Sequence, residues 1–236
     1  MPEKQIKSRQ RVADHGEVFT SEREVKAMCD LVEQECDRID SRFLEPACGD
    51  GNFLAEVLAR KLAIVKKRYG KNPFDYERYS LLAVSSIYGV ELLQDNVDTC
   101  IERLFKQWET DYKATCKSLC NDQTKESVRY ILSKNILCGN ALTMMCVDDN
   151  QQDTNTPIIF PEWSLVTSAM FKRRDFRLDA LLKANEKPEN SRQLNWIEDE
   201  DSIYNYLDRN PVTGEYMPKP LREFEPIHYR RLKENG

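Results

Sequence analysis

The chain has 236 residues, of which 40% are hydrophobic and 32% are charged, and its formal net charge is −5. This length supports one sizeable domain with an appendage, and the negative charge argues against a free-standing nucleic-acid binder with a basic surface. The sequence contains no apolar run of about 18 residues and its start lacks the apolar core of a signal peptide, so we expect a cytoplasmic protein without membrane contact.

The N-terminal part is expected to lead into the first strand through a helix. Residues 1–15 are polar and include four basic side chains, which predicts a flexible basic arm. Thr20 or Ser21 can cap the helix that follows, and apolar residues recur at helical spacing from Val25 to Val32.

Residues 43–53, with the sequence FLEPACGDGNF, form the most informative stretch. An apolar strand end runs into Glu45, then into a turn with Gly49 and Gly51, and then into a helical apolar pattern. Such a turn points backbone N–H groups and the positive end of a helix dipole at a ligand. Glycine allows positive φ and a close approach of the ligand. The stretch therefore predicts a site for a nucleotide-type ligand.

Two further strand-then-helix units follow this turn. Residues 87–91 are predicted to form a buried strand that ends at Glu91, and residues 135–138 a strand that precedes Asn140. Helical patterns separate the strands, and the charged residues 109–125 are expected to form a loop. Alternating strands and helices predict an α/β fold with a parallel, doubly wound sheet.

The second half is predicted to be less regular. Residues 148–156 indicate a polar loop, and residues 157–166 two short strands that Pro161 limits to an edge or a turn. A short helix is expected near residues 178–182, and the proline-containing tail from residue 204 is expected to form an irregular arm.

One basic run stands out in this half of the chain. It consists of Lys172, Arg173 and Arg174, for which we predict contact with DNA or with a partner. A solvated surface without any partner is the alternative for three consecutive charged residues.

The cysteines and histidines show no metal-binding spacing. The eight cysteines include no Cys-x-x-Cys pair, and Cys116 and Cys120 would need two further ligands to hold zinc. His15 and His228 are not spaced to supply them. We therefore predict no metal site and expect reduced, mostly buried thiols.

Each predicted parallel strand ends in a group that can bind a ligand, and ligands bind at the carboxyl ends of such strands. Glu91 is placed to accept hydrogen bonds from two ribose hydroxyls, although it can also cap the following helix. Asn140 can donate to and accept from an adenine edge, and Leu92 and Leu142 can flank the base. The set predicts an adenosine-containing ligand.

Two common nucleotide-binding classes do not fit these residues. A P-loop requires Gly-Lys-Ser or Gly-Lys-Thr, which the sequence lacks. A dinucleotide fold requires a third glycine after Gly51 and an acid about 20 residues further on. Here the third glycine is missing, and Glu91 lies 40 residues past the turn.

Residues 45–53 resemble the S-adenosylmethionine motif of adenine-N6 DNA methyltransferases, most closely modification subunits of type I and Eco57I-like restriction–modification systems. Residues 16–21 resemble the segment that closes over the methionine end of the cofactor, with Ser21 where the family usually has proline. Residues 87–91 resemble the ribose-binding strand. Residues 138–142 resemble the adenine-contacting turn, where aspartate is more usual than asparagine. The four matches follow the family's order.

The resemblance implies a Rossmann-like S-adenosylmethionine-dependent methyltransferase fold over residues 16–150. The arm of residues 1–15 precedes this domain, and residues 151–236 form a strand-containing, irregular extension expected to contact a partner. The cofactor implied is S-adenosylmethionine. The residues implied to bind it are Phe19, Thr20, Glu45, Pro46, Ala47, Gly49, Asp50, Gly51, Phe53, Glu91, Leu92, Asn140, Ala141 and Leu142.

The chain departs from this family at the catalytic motif. Family members use Asn or Asp followed by Pro-Pro-Tyr or Pro-Pro-Phe to hold a flipped adenine. No Pro-Pro dipeptide occurs here, and the nearest imitation is Phe160-Pro161-Glu162-Trp163. We therefore expect a partner subunit to supply the catalytic loop and target recognition.

The missing half would also leave the parallel sheet incomplete. Without a fourth strand, the strand before the glycine turn has an exposed edge, which favours association. A partner subunit, a second copy of the chain, or residues 157–166 folding back are the three candidates to cover it.

These observations lead to one preferred function and two alternatives. The preferred function is an S-adenosylmethionine-binding subunit of a split, site-specific DNA adenine-N6 methyltransferase in a restriction–modification or phage-defence system, with DNA bound through the complex. The alternatives are a catalytically inactive scaffold or cofactor-sensing subunit of the same fold, and a stand-alone methyltransferase with a non-standard loop.

Overall fold

The computed structural model describes residues 8–15, 20–184 and 203–235. Within these ranges no helix is both long and apolar enough to cross a membrane. The helices are α1 (Arg9–His15), α2 (Glu22–Leu31), α3 (Glu33–Cys36), α4 (Asn52–Tyr69), α5 (Pro73–Ser85), α6 (Gln94–Cys116), α7 (Asp122–Asn135) and α8 (Leu178–Lys183). The strands are β1 (Phe43–Glu45), β2 (Ile87–Glu91), β3 (Ile136–Cys138), β4 (Met145–Val147), β5 (Asp153–Pro157), β6 (Ile159–Leu165), β7 (Met170–Arg177), β8 (Leu207–Arg209), β9 (Tyr216–Pro218), β10 (Arg222–Glu223) and β11 (Ile227–His228).

A three-stranded parallel sheet positions the predicted ligand site. Its order is β1-β2-β3, with Phe43 opposite Ile87 and Gly89 opposite Ile136. The carboxyl ends of all three strands therefore lie on the same side of the sheet, where the glycine turn, Glu91 and the turn after β3 meet. The α/β class with a parallel sheet is confirmed, and β1 lies at one edge of the sheet.

The two faces of this sheet are covered by different elements. The side chain of Ile87 faces the main core, which also contains Leu54 of α4 and Ile131 of α7. The side chains of Tyr88 and Val90 alternate to the opposite face. There they pack in a second apolar cluster with residues of the 158–178 region, namely Ile158, Phe160 and Leu178.

Residues 159–165 form the single strand β6, which pairs with β7, instead of the two short strands predicted for residues 157–166. Pro161 lies inside β6 opposite Asp175, and Ile159 to Leu165 pair continuously with β7. Strand β6 has one neighbour, so a proline there need not break a ladder on both sides. Within the described residues β6 is thus an edge strand, as predicted for Pro161, whereas the predicted division into two short strands is wrong. Strand β6 also does not pair with β1, so it leaves the edge of the parallel sheet free.

The predicted loop at residues 109–125 is wrong. Helix α6 continues to Cys116 and α7 begins at Asp122. Trp108, Tyr112 and Cys116 recur every four residues and are buried, so an apolar stripe extends the helix through a charged segment. The predicted polar loop at residues 148–156 is wrong in part, because β5 pairs with β4 as a hairpin.

The C-terminal tail is tied into the helical core through Glu77. The buried Glu77 carboxylate accepts hydrogen bonds from the Tyr229 hydroxyl (2.7 Å), from Arg230 Nη2 (2.5 Å), and from Tyr112 and Thr124. These four side chains supply hydrogen bonds to a buried charge that would be costly to bury alone. The tail is thus part of the packed structure rather than an irregular arm.

Residues 9–15 of the expected basic arm form helix α1. Arg11 of this helix donates to both carboxylate oxygens of Asp95, with Nη1–Oδ2 and Nη2–Oδ1 distances of 2.8 and 3.1 Å. A bidentate arginine–carboxylate contact fixes the relative orientation of its partners. This contact brings α1 to the start of α6, a position that composition alone does not indicate.

Lys61 of α4 is a fully buried cation that fastens the chain before β1. Its Nζ lies within hydrogen-bond distance of the carbonyl oxygens of Arg38 (3.0 Å), Ile39 (3.1 Å) and Ser41 (2.5 Å) and of the Ser86 hydroxyl (2.9 Å), so three N–H groups are shared among four acceptors. Burial lowers the pKa of this ammonium group to about 8. Lys61 therefore satisfies three carbonyl groups immediately before β1.

We predict that Lys61→Met lowers the free energy of unfolding by about 3 kcal/mol at pH 7, because it leaves buried carbonyl groups without a donor. Since the folded-state pKa of about 8 lies below the ordinary 10.5, the unfolded chain binds more protons between these values. The stability of the wild type relative to the variant should therefore rise with pH in that window, by at most about 1.4 kcal/mol per pH unit.

Urea denaturation of both proteins from pH 7 to pH 10 measures this difference. Lys67→Met, at an exposed position on the same helix, is the control and should change stability by no more than about 0.5 kcal/mol. A stability difference that stays constant with pH would contradict the assigned ionisation of Lys61.

Candidate functional site

The glycine turn has the predicted strand–turn–helix geometry. Strand β1 ends at Glu45 and α4 begins at Asn52, with φ of 52° at Gly49 and 88° at Gly51. Gly51 N–H donates to the Cys48 carbonyl at 2.8 Å, which closes the turn. Both glycines adopt the left-handed conformation that other residues rarely reach without strain.

The Glu91 carboxylate joins this turn to the next helix. Its Oε2 accepts the Gly49 N–H at 2.9 Å. Its Oε1 accepts the Leu93 N–H at 3.1 Å and an Asn96 Nδ2 hydrogen at 3.4 Å. The capping role and the position beside the glycine turn therefore coexist. Each carboxylate oxygen can accept about two hydrogen bonds, so Oε2 retains capacity for a ligand hydroxyl.

Asn140 shapes the third side of the site, directly after β3. Its Oδ1 accepts the Leu142 N–H at 3.0 Å, and its Nδ2 donates to Asp153 Oδ1 of β5 at 3.0 Å. This amide organises the turn, so contact with an adenine would require it to exchange one of these partners. Leu142 is 92% exposed, which leaves its side chain at the rim open to a flat ligand.

The backbone links these three features directly. Gly139 N–H donates to the Glu91 carbonyl at 2.9 Å, and Cys48 N–H to the Val90 carbonyl at 3.0 Å. Most predicted site residues therefore lie together at the carboxyl ends of the parallel strands. They are Glu45, Pro46, Ala47, Gly49, Asp50, Gly51, Glu91, Leu92, Asn140, Ala141 and Leu142.

For the three other predicted residues, the side chain is not placed at the site by the structure. Thr20 reaches the site through its carbonyl oxygen, which accepts an Asn52 Nδ2 hydrogen at 3.4 Å, whereas Ser21 caps α2. The Phe53 ring packs against Phe43 of the core, with ring centroids 6.4 Å apart. Phe19 lies outside the described residues.

Carboxylates dominate the charge at the carboxyl ends of the parallel strands. Glu45, Asp50 and Glu91 all lie there, and burial raises the pKa of the Glu45 carboxyl although the Ala47 N–H opposes that effect. Such a set favours a ligand that brings positive charge or several hydrogen-bond donors.

The structure adds Arg103 of α6, which the sequence interpretation missed. Its Nη2 lies 2.6 Å from Asp50 Oδ2, and its Nη1 donates to the Asn52 side chain. Asp50 Oδ1 is enclosed and accepts no hydrogen bond from the described part of the chain. The signal available in the sequence was the helical spacing of Arg103 from Cys100, which places both on one face of α6.

The basic run of residues 172–174 does not form a uniform exposed patch. Side chains alternate along β7. Arg173 points inward, is only 8% exposed, and pairs with Asp175 at 2.7 Å. Lys172 and Arg174 pair on the other face with Glu223 (2.8 Å) and Glu162 (2.5 Å). The prediction that Arg173 offers a surface contact is therefore wrong.

The segment Phe160–Trp163 is a packed strand and not a loop at the ligand edge. Glu162 pairs with Arg42, which precedes β1, and Trp163 Nε1 donates to Asn135 Oδ1 at 2.9 Å, next to the start of β3. Both contacts lie near the amino ends of the parallel strands, on the side of the sheet opposite the glycine turn. The Tyr88 hydroxyl donates to the Pro161 carbonyl at 2.8 Å. The segment is therefore part of the packed structure, and its Glu162 and Trp163 contact the chain near the amino ends of β1 and β3.

Comparisons of the whole chain identify no relative. No protein-family model, no curated protein and no solved structure matches it significantly. The functional argument therefore depends on the geometry described above.

We predict that Gly51→Ala destabilises the fold by about 3 kcal/mol, from the strain of positive φ and from overpacking. A Cβ at this position would lie 2.6 Å from the Cys100 sulfur. The control is Gly214→Ala, where φ is also positive (76°) but the nearest atom is 3.7 Å away. It should lose about 1 kcal/mol.

Chemical denaturation of the two variants measures the difference directly. Because the two glycines share the left-handed conformation, the difference reports the packing of α6 against the turn. Equal losses in the two variants would contradict that packing.

Proposed function

We propose that this chain is the S-adenosylmethionine-binding subunit of an adenine-N6 DNA methyltransferase from a restriction–modification or phage-defence system, with a Rossmann-like methyltransferase fold. The observation that carries the proposal is the Glu91 carboxylate, which accepts the Gly49 N–H between the ends of β1 and β3. A glycine turn, an acid and an amide after three adjacent parallel strands support an adenosine-type ligand.

The groups at this edge suit S-adenosylmethionine. Glu91 Oε2 has capacity to accept from a ribose hydroxyl, and Leu142 is exposed at the rim. The Asn140 amide would contact the adenine edge by exchanging its bond with Leu142 or with Asp153. S-adenosylmethionine has a positive sulfonium, which the neighbouring carboxylates favour.

The chain's contribution to methyl transfer would be binding and orientation. S-adenosylmethionine, when bound, supplies a methyl group activated by its sulfonium. Glu91 would orient the ribose, and the N-terminus of α4, whose N-cap Gly51 has no side chain to occupy it, would hold the carboxylate of the amino-acid end. The Asn-Pro-Pro-Tyr-type loop for the adenine base is absent from this sequence, so we assign it to a partner subunit.

The free edge of β1 supports the partner assignment. Phe43 N–H donates to the Ser86 carbonyl at 2.9 Å, so Phe43 and Glu45 face β2 while the amide groups of Leu44 face outward. An apolar groove of about 220 Å³ lies beside this edge. It is lined by residues that include Leu44, Phe160, Phe176, Leu181 and Leu182.

We assign this groove to an apolar strand of the partner subunit. A strand added parallel to β1 would satisfy the outward amide groups and bury Leu44. Because β1 leads directly into the glycine turn, such a strand would also end beside the cofactor site. That placement would deliver a loop from the partner to the transferable methyl group.

A second candidate is a scaffold or cofactor-sensing subunit without catalysis. The observation that favours it is the packing of Phe160–Trp163 as a structural strand, remote from the glycine turn. This candidate shares the cofactor site with the first, so only methyl transfer separates the two.

We predict that wild type binds S-adenosylmethionine and that Glu91→Gln weakens binding at least about tenfold, because an amide cannot accept all the hydrogen bonds of the carboxylate. Glu102→Gln is the control, since Glu102 is on α6 but pairs with Arg129 away from the turn. Isothermal titration calorimetry measures both. Failure of the wild type to bind would refute the cofactor assignment.

We predict that Leu44→Asp weakens association with the partner subunit at least about tenfold while S-adenosylmethionine binding persists, because a charge enters an apolar groove. The partner tested is the product of an adjacent reading frame with an Asn-Pro-Pro-Tyr-type motif. Val212→Asp is the control, because Val212 is exposed and is not one of the residues that line the groove.

Transfer of tritiated methyl groups to DNA, with and without the partner, completes this test. We expect transfer only from the complex. Transfer by the chain alone would support a stand-alone enzyme, and transfer by neither would support the non-catalytic subunit.

A further inference from the structure

Arg103 binds the glycine turn on both sides of Gly51. Its guanidinium contacts Asp50 Oδ2 at 2.6 Å and also the Asn52 side chain, so one group spans the last loop residues and the first residue of α4. Asp50 is largely enclosed, whereas 39% of the Arg103 side chain is exposed. The ion pair therefore lies at the surface of the turn rather than in the core.

The same face of α6 contacts the turn a second time. Cys100, three residues before Arg103, lies so close to Gly51 that a Cβ there would be 2.6 Å from its sulfur. Glu91, just before α6, holds the Gly49 N–H. The unit formed by β2 and α6 thus holds the turn at three points, and Arg103 is the cationic one.

The charge of Arg103 matters because the turn is also the natural binding point for an anion. The N-terminus of α4, whose N-cap Gly51 has no side chain to occupy it, favours a carboxylate. The negative Asp50 lies directly before this N-cap and opposes an anionic ligand group. The guanidinium of Arg103 offsets this charge and leaves the positive end of the α4 dipole effective.

We propose that Arg103 is a positioning residue for the amino-acid end of S-adenosylmethionine, acting by neutralising Asp50 and fixing the turn. This inference rests on the proposed function. It assigns the adenosine part of the ligand to Glu91 and Asn140, and makes Arg103 important only for ligands that carry the α-carboxylate. A purely structural Arg103 would affect both kinds of ligand equally.

Calorimetry with two ligands tests this assignment on the full chain. S-adenosylmethionine has the amino-acid end, and 5′-methylthioadenosine keeps the adenosine and the sulfur without it. The variants are Arg103→Met, Arg103→Lys and the control Arg129→Met, whose arginine pairs with Glu102 of α6 away from the turn. Thermal unfolding of each variant confirms that it is folded.

We expect Arg103→Met to weaken S-adenosylmethionine at least about tenfold, or about 1.4 kcal/mol, and 5′-methylthioadenosine by less than about twofold. Arg103→Lys should restore S-adenosylmethionine binding to within about threefold, because it keeps the charge. Arg129→Met should bind both ligands as the wild type does.

Two results would overturn the inference, and they are distinguishable. If wild type binds both ligands and Arg103→Met weakens both equally or neither, Arg103 does not position the amino-acid end, and the proposed function survives. If wild type binds neither ligand, the proposed function fails and this inference fails with it. An unfolded Arg103→Met leaves the decision to Arg103→Lys, whose equal loss for both ligands would also overturn it.

Discussion

The Glu91 carboxylate accepts a hydrogen bond from Gly49 on one oxygen and from Leu93 on the other, and so ties the glycine turn after β1 to the beginning of α6. Both donors are backbone N–H groups outside regular elements, Gly49 in the turn after β1 and Leu93 at the N-cap of α6, where no ladder or helix supplies an acceptor. A charged acceptor makes these bonds stronger than neutral ones. This one side chain therefore fixes the turn relative to the start of α6, and the contacts of Cys100 and Arg103 with the turn extend that attachment along the helix.

The second half of the chain covers one face of the parallel sheet without extending it. Tyr88 and Val90 of β2 pack against Ile158, Phe160 and Leu178, so the face is buried. The backbone groups of β6 are satisfied by β7, its neighbour in sequence, which costs less loop entropy than pairing with distant β1. As a result the outward edge of β1 remains unpaired within the described residues, directly before the ligand turn.

Prediction from sequence succeeded where local chemistry decides the conformation and failed where distant contacts decide it. The strand ending at Glu45 and the positive φ at Gly49 and Gly51 follow from apolar patterning and from glycine. The length of α6 was missed because charged residues on its exposed face obscured the buried stripe at Tyr112. The inward position of Arg173 was missed because the sequence does not show which face of β7 is buried.

The sequence by itself determined the order of strand ends, the left-handed glycine turn and the absence of a Pro-Pro catalytic motif, because these depend on residue type and on spacing along the chain. Only the tertiary structure decided that Arg103 holds Asp50, that Glu162 and Trp163 lie at the opposite end of the parallel strands from the turn, and that no other described strand pairs with the outward edge of β1. The reason is physical: each depends on the packing of segments that lie far apart along the chain, as the 53-residue separation of Arg103 and Asp50 illustrates.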